Sequence, residues 1–159
     1  MAELRVGIGV DAHALADGVG LVLGGVEIAH PRGLVGHSDG DVIAHALIDA
    51  VLGAAGLGDI GAMFPSDDAR WRGVSSLELL ARAAARVRQA GFELVNADCV
   101  LVGEEPKIAP CREEMARRLA AALGVDHQRV TVRATTTDGL GFTGRGEGLA
   151  AQAVALVRG

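Results

Sequence analysis

Strands and helices interleave along this 159-residue chain, so the sequence predicts an α/β domain, α+β in layout, with one mixed sheet and helices packed on one face. Three observations carry that reading. Short β-branched runs alternate with segments of helical apolar spacing, helical segments close on glycine, and residues 1–159 at 50% apolar suffice for one cored domain but not two. Aromatics make up only 3% of residues, with no Tyr, so core volume must come from Ala, Val and Leu. Close approach of backbones is the expected theme.

Leu4 to Val10 reads as a strand, and Leu21 to Ile28 as an extended segment bent at Gly24-Gly25. A helix is expected from about Asp39 to Ala55, with Ser38 or Asp39 as its N-cap and Val42, Ala46, Leu47, Ala50 and Val51 at helical spacing. Leu57 to Gly73 is rich in turn residues and has no period, which in a compact domain marks a functional or mobile loop. Ser75-x-x-Glu78 has the form of a capping box opening a helix that runs to Ala90 and stops at Gly91. Phe92 to Val102 gives one or two strands, and Gly103 to Lys107 a turn. A helix from about Pro110 to Leu123 ends at Gly124. Val130 to Thr135 alternates as a strand, and a glycine-rich stretch, Gly139 to Gly148, precedes a closing strand from Leu149 to Val157.

The net charge of −5 argues against nucleic acid, whose phosphates call for a basic stripe. Any anionic ligand must be held locally. Cys99 and Cys111 lack CxxC spacing and read as reduced thiols of a cytoplasmic bacterial protein. No apolar run approaches the ~20 residues of a membrane span.

Chemistry concentrates in two segments. Asp11 and His13 stand two apart near a strand end and so share a face, while His45 lies inside the next helix. Two imidazoles and a carboxylate form a three-ligand set that leaves a tetrahedral Zn²⁺ one open position. The pattern alone equally admits a chance D-x-H beside a packed core histidine. Asp41, His45 and Asp49 fall at i, i+4 and i+8 on one helix face, and Asp49 is the candidate to orient His45 through its second N–H. Both carboxylates are also ordinary for a solvated face. His37 and Ser38 precede the helix N-terminus, a place for phosphate or for plain capping. Thr135, Thr136, Thr137 and Asp138 offer three hydroxyls and a carboxylate at a strand end. Arg145 in the following glycine-rich stretch suits an anion. That stretch is neither a Walker loop nor a dinucleotide fingerprint. Lys107, alone in its turn, reads as a solvated charge.

Taken in order, these blocks closely resemble the 2-C-methyl-D-erythritol 2,4-cyclodiphosphate synthase family of non-mevalonate isoprenoid synthesis. The strongest matches are His37-Ser38-Asp39-Gly40-Asp41 with His45, Gly58-Asp59-Ile60-Gly61 with Phe64-Pro65, Pro106-Lys107, and Ala134 to Thr137 with Gly141 to Gly148. The resemblance implies Zn²⁺ on Asp11, His13 and His45, and a second divalent ion, Mg²⁺ or Mn²⁺, reached by Asp138. It implies that His37 and Thr136 stabilise the transition state. Substrate contacts would come from Ser38, Asp59, Ile60 and Gly61, and from Phe64, Pro65, Ser66, Asp67 and Asp68. They would also come from Gly103, Glu104, Glu105, Pro106, Lys107, Ile108 and Ala109, with Thr135, Thr137, Phe142 and Arg145. The implied assembly is a homotrimer with active sites shared between neighbouring chains, and an isoprenoid diphosphate is an implied occupant of the trimer cavity near Arg145. The implied reaction closes 4-diphosphocytidyl-2-C-methyl-D-erythritol 2-phosphate into the 2,4-cyclodiphosphate and releases CMP, as a phosphorus–oxygen lyase. Two positions depart from the family pattern: Val10 stands where an aromatic is common, and Asp138 where a longer Glu is common. Two other readings of the same residues are a zinc hydrolase working through a metal-bound hydroxide and a trimeric binding protein with a structural metal.

Overall fold

The computed structural model describes residues 1–159. A long first strand, β1 (Leu4–Asp17), pairs antiparallel with the last, β7 (Gly148–Arg158), from Leu4 opposite Arg158 to Ala14 opposite Gly148. On the far side of β7 lies β5 (Glu93–Val102), also antiparallel, followed by β6 (Val130–Thr135), parallel to β5. A short strand, β4 (Arg32–Leu34), extends the other edge beside β1, giving a five-stranded mixed sheet in the order β4-β1-β7-β5-β6. Helices α1 (Val42–Ala54) and α4 (Arg112–Leu123) pack on one face, and α3 (Ser76–Gln89) lies on the same side against both of them.

The sheet departs from the single one expected. Residues 21–28 form a separate two-stranded hairpin, β2 (Leu21–Leu23) and β3 (Val26–Ile28), turned at Gly24 and Gly25. Both glycines have φ near +60 to +80°, and a Cβ there would meet the side chains of Met115 and Leu77. The turn-rich 57–73 segment is also more ordered than its composition suggests. It holds a one-turn helix, α2 (Ile60–Met63), and a 3₁₀ turn at Ala69–Trp71, each begun by an aspartate side chain accepting a backbone N–H. Another one-turn helix, α5 (Gly141–Gly144), interrupts the glycine-rich stretch.

α1 is the centre of the molecule. All of its residues but Asp49 and Gly53 are buried, as expected of a helix apolar on every side. It descends onto β1 until backbone meets backbone: a Cβ on Gly9 would lie 1.8 Å from the Ala46 carbonyl oxygen, and one on Gly7 2.1 Å from that of Ala50. Ala46, Ala50 and Ala54 present the matching small surface on the helix. The core is thus filled by aliphatic side chains and short interaxial distances, with Phe64 its one buried aromatic.

Alternation along β1 splits its residues between two environments. Gly7 and Gly9 face α1, while Val6, Ile8 and Val10 face away, 68%, 65% and 58% exposed.

The start of α1 corrects the expected cap. The N-cap is Asp41, fully buried, whose carboxylate accepts from Ala44 N–H within the helix and from Gly24 and Gly25 N–H of the hairpin. Burial pushes its pKa up to about 6 against those three hydrogen bonds. Ser38 and Asp39 lie outside the helix with their side chains turned to other partners. The capping box of α3 likewise does not form. Ser75 makes no side-chain cap, and Glu78 pairs with Arg82 one turn on. The amide at Ser76 is capped instead from a distance by Asp39 Oδ2 at 3.0 Å. Cys99 is buried in the core, and burial raises its thiol to about 12, consistent with a packing role.

Replacing Gly9 by Ala forces a methyl into the Ala46 carbonyl. The expected result is a loss of about 3 kcal/mol or more in urea unfolding. An equivalent substitution at exposed Gly20, where a Cβ meets nothing within 4 Å, would leave that contact untouched, so equal losses at the two sites would contradict the backbone-contact account.

Candidate metal and phosphate site

The stripe that begins with Gly7 and Gly9 continues on the same face of β1 as Asp11 and His13. Those two side chains therefore meet the first turns of α1, where His45 sits one residue before Ala46. Asp11 Oδ2 lies 2.7 Å from His13 Nε2 and 3.1 Å from His45 Nδ1, and the two nitrogens are 3.2 Å apart. Burial opposes the Asp11 charge, but its close contacts with the His13 and His45 rings overcome it and hold the carboxyl at about 2. The same contact with Asp11, working against burial, raises the His13 pKa above 6.5.

Two imidazole nitrogens and a carboxylate oxygen lie within 4.8 Å of one another. His13 Nδ1–H donates to the Val35 carbonyl at 2.8 Å, which leaves Nε2 as the inward, lone-pair nitrogen. This donor set fits a divalent ion such as Zn²⁺ held by three protein ligands, as in catalytic rather than closed structural sites.

The sequence expectations at this site divide. His37, Ser38, Ile60, Gly61, Phe64, Pro65, Ser66 and Asp67 line one cleft of about 400 Å³ with Asp11, His13 and His45. The backbone carbonyl of His37 accepts from Gly73 N–H at 2.9 Å, tying the 57–73 segment to the histidine. The N-terminus of α1 is not an anion site, however, because the buried Asp41 carboxylate already occupies it. Nor does Asp49 orient His45. Its Oδ1 accepts from Ile60 N–H at 2.7 Å and fixes the start of α2, while His45 Nε2 faces the hydroxyls of Ser38 and Ser76, each at 2.9 Å. Asp59 caps α2 through Ala62 N–H, and Asp68 pairs with Arg70.

A second group gathers elsewhere on the chain. Glu104 accepts from Gly139 N–H at 3.0 Å, joining the 103–109 turn to the loop after β6, and Lys107 Nζ donates to the Glu104 carbonyl at 2.9 Å. In that loop Asp138 takes a left-handed φ of 52°, and Thr136 Oγ1 lies 3.4 Å from its carboxylate. Thr137 spends its hydroxyl on the Leu140 carbonyl at 2.6 Å. Thr135 Oγ1 donates to the Thr136 carbonyl at 3.2 Å. Arg145 is paired with Glu147 at 2.7 Å and lines a shallow cleft with Glu104 and Glu105. Phe142 is 43% exposed. None of this second group lines the metal cleft.

Three lining residues were not anticipated: Trp71, Arg72 and Leu79. Trp71 stands edge-on to Phe64, ring centroids 5.0 Å apart, with the guanidinium groups of Arg70 and Arg82 over its ring. The chain's one tryptophan in a turn-rich segment was the available signal. Buried Ser76 was hidden by its apparent membership of a capping sequence.

Residues 4–158 match the YgbB family. The 2-C-methyl-D-erythritol 2,4-cyclodiphosphate synthase of Pelotomaculum thermopropionicum is 55% identical over 154 residues, covering 97% of this chain and 95% of that one. Among solved structures, the bifunctional IspDF of Campylobacter jejuni superposes with a TM-score of 0.95 at 43% identity, over 99% of this chain and 43% of the longer protein. A 2C-methyl-D-erythritol-2,4-cyclodiphosphate synthase solved in its CDP-bound form gives 0.88 at 39% identity, over 96% of this chain and 99% of that one. With a match spanning nearly its whole length and relatives above half identical, the chain belongs to the YgbB family of 2-C-methyl-D-erythritol 2,4-cyclodiphosphate synthases.

Proposed function

We propose that this protein converts 4-diphosphocytidyl-2-C-methyl-D-erythritol 2-phosphate into the 2,4-cyclodiphosphate and CMP. The observation that carries the proposal is the meeting of Asp11, His13 and His45 with His37, Ser38 and the 60–67 segment in one cleft, in a chain of this family. An oxygen of the 2-phosphate attacks the β-phosphorus, and the bond from that phosphorus to the oxygen bridging it to the α-phosphate breaks. The electron pair leaves with CMP. The attacking oxygen is already anionic at neutral pH, so no general base is required and water is not a reactant. What the protein must do is bring mutually repelling phosphates together and hold them in line. A divalent ion on Asp11, His13 and His45 would supply positive charge at the β-phosphate. His37 and Ser38 would position the 2-phosphate, and Phe64, Trp71 and Leu79 would wall the carbon skeleton from water.

The nucleotide end is assigned to the Gly103–Ala109 turn with Lys107, and to Thr136 and Asp138, the last reaching a second divalent ion. A CDP-bound relative supports a cytidine diphosphate ligand. Because this second group does not line the metal cleft, the proposed active unit is a homotrimer that completes each cleft from a neighbouring chain. The bare apolar row of Val6, Ile8 and Val10 supports association, since monomers rarely leave so ordered a patch in water.

Incubation with substrate, Zn²⁺ and Mg²⁺, followed by ³¹P NMR, should give the cyclic diphosphate and CMP. His45→Ala should slow this by about 10³-fold or more, on the scale of losing an electrostatic stabiliser. Acyclic product would point to the hydrolase. Light scattering should give a mass of three chains, and Val6→Asp with Ile8→Asp should yield smaller species. A monomeric parent protein would defeat the shared-site reading.

Zinc affinity should depend on pH in a definite sense. Metal binding needs His13 unprotonated at Nε2, and its folded pKa is raised above 6.5. Below that raised value a proton competes, so affinity should climb by up to about tenfold per pH unit and then level off. Zinc competition titrations from pH 6 to 8 measure this, and a flat profile would exclude the competition.

A further inference from the structure

His45 reaches toward the metal ligands with Nδ1 and backward with Nε2, where two hydroxyls wait at the same distance. Ser38 Oγ and Ser76 Oγ are each 2.9 Å from Nε2 and 3.2 Å from one another. Distance does not decide between them. Proton accounting does.

Ser76 is fully buried at the first turn of α3, and its Oγ lies against Asp39 Oδ1. The same carboxylate accepts from the Ser76 backbone N–H at 3.0 Å and, through Oδ1, from Asp41 N–H at 3.1 Å. An ionised carboxylate only accepts, so the single Ser76 hydroxyl proton is committed to Asp39. Its remaining lone pairs face His45. We infer that Asp39, through the buried Ser76 hydroxyl, fixes the proton of His45 on Nε2 and so directs the Nδ1 lone pair at the metal position beside Asp11 and His13.

This inference rests on the metal site proposed above and adds two positioning residues to it. With His13 Nδ1–H given to Val35 and His45 Nε2–H given to Ser76, the inward atoms are two lone-pair nitrogens and a carboxylate oxygen. All three are acceptors, and only a cation or a proton satisfies them together. The arrangement is a histidine oriented by a carboxylate at one remove, with a hydroxyl between. It also explains why Asp39 reaches across 37 residues of sequence to the start of α3: the N-cap of that helix and the metal histidine share one carboxylate.

The consequence of Asp39→Asn follows from the same accounting. With the Asn oxygen kept on the Ser76 N–H, its amide –NH₂ takes the Oδ1 position against Ser76 Oγ and gives up the bond from Asp41 N–H. Ser76 then accepts from Asn and turns its own proton toward His45 Nε2. That favours the tautomer with N–H on Nδ1, the wrong atom for a ligand.

The test is a double-mutant cycle on the metal-free full-length protein, read by zinc competition titration and by the visible spectrum of bound Co²⁺. Asp39→Asn should weaken zinc binding by about 10- to 100-fold when Ser76 is present. In a Ser76→Ala background it should add no further loss, because the relay is already cut. Ser38→Ala should leave zinc affinity within about threefold of the parent, since Ser76 alone accepts the His45 proton. Thermal melts of the metal-free variants separate folding from ligation. Equal losses from Asp39→Asn in both backgrounds would overturn the relay while leaving the metal site intact, as would a loss confined to Ser38→Ala. Absence of zinc uptake by the parent protein would remove the metal site and the relay with it.

Discussion

The contact on which everything else depends is the one between the backbones of β1 and α1. Gly7 and Gly9 leave no side chain between strand and helix, and Ala46, Ala50 and Ala54 leave almost none from the other side. A helix lowered this far onto a sheet gains dispersion contacts along its whole length and needs no large aromatic to fill the gap. The same descent sets the distance from His45 to Asp11 and His13. Alternation on β1 carries the glycine stripe directly into Asp11 and His13, so packing and the candidate metal site are two halves of one strand face. A strand with larger residues at 7 and 9 would lift α1 and carry His45 away from its partners.

How much of this was legible in the sequence depended on how local each determinant was. β6 was read to the residue because alternation over Val130 to Thr135 is a property of that stretch alone. The end of α4 was equally plain, since Gly124 takes the left-handed conformation that glycine adopts cheaply. Helix starts were misread for the opposite reason. Asp41 was chosen as a cap by the Gly24 and Gly25 amides arriving from the hairpin, and Asp39 by the amide of Ser76. Neither relation has a signature within four residues. Asp49 was assigned to His45 on helical spacing, yet spacing fixes only the face of a helix. The chain folding over that face, here Ile60, decided which donor reached the carboxylate. Asp11, His13 and His45, the group able to hold a metal, were brought to one place by strand and helix periodicity, but pattern alone left a packed core histidine equally open and the family resemblance chose between the two.

Charge is distributed in a way that bears on a polyanionic substrate. Many of the arginines are tied to nearby carboxylates, as in Arg70 with Asp68, Arg82 with Glu78, Arg118 with Glu114, Arg133 with Asp98 and Arg145 with Glu147. Exposed pairs of this kind contribute little to stability, but they do lower the density of uncommitted positive charge. Under the proposed reaction, a net charge of −5 with cations so engaged leaves phosphate recognition to a few placed donors and to divalent ions. Acidic side chains concentrated at Asp11, Asp39 and Asp41 then have separate duties within a short stretch of space. On the proposed reading Asp11 ligates and Asp39 orients, while Asp41, shielded at the helix start, holds the hairpin to α1.

The two faces of β1 connect this chemistry to assembly. Asp11 and His13 project from the face that receives α1, while Val10 projects from the bare face beside them on the same strand. On the trimeric reading, a neighbouring chain packs against Val6, Ile8 and Val10, and the 103–109 and 135–138 segments it brings must arrive in register with the metal cleft. Register is then set by a strand whose other side is pinned to α1 by backbone contact. A rigid β1 is therefore needed twice: once to keep three ligands converged, and once to fix where the neighbour's nucleotide-binding loops fall. Small residues facing α1 and β-branched residues facing outward are the composition that meets both needs, because glycine permits the close approach and valine and isoleucine stiffen the exposed face.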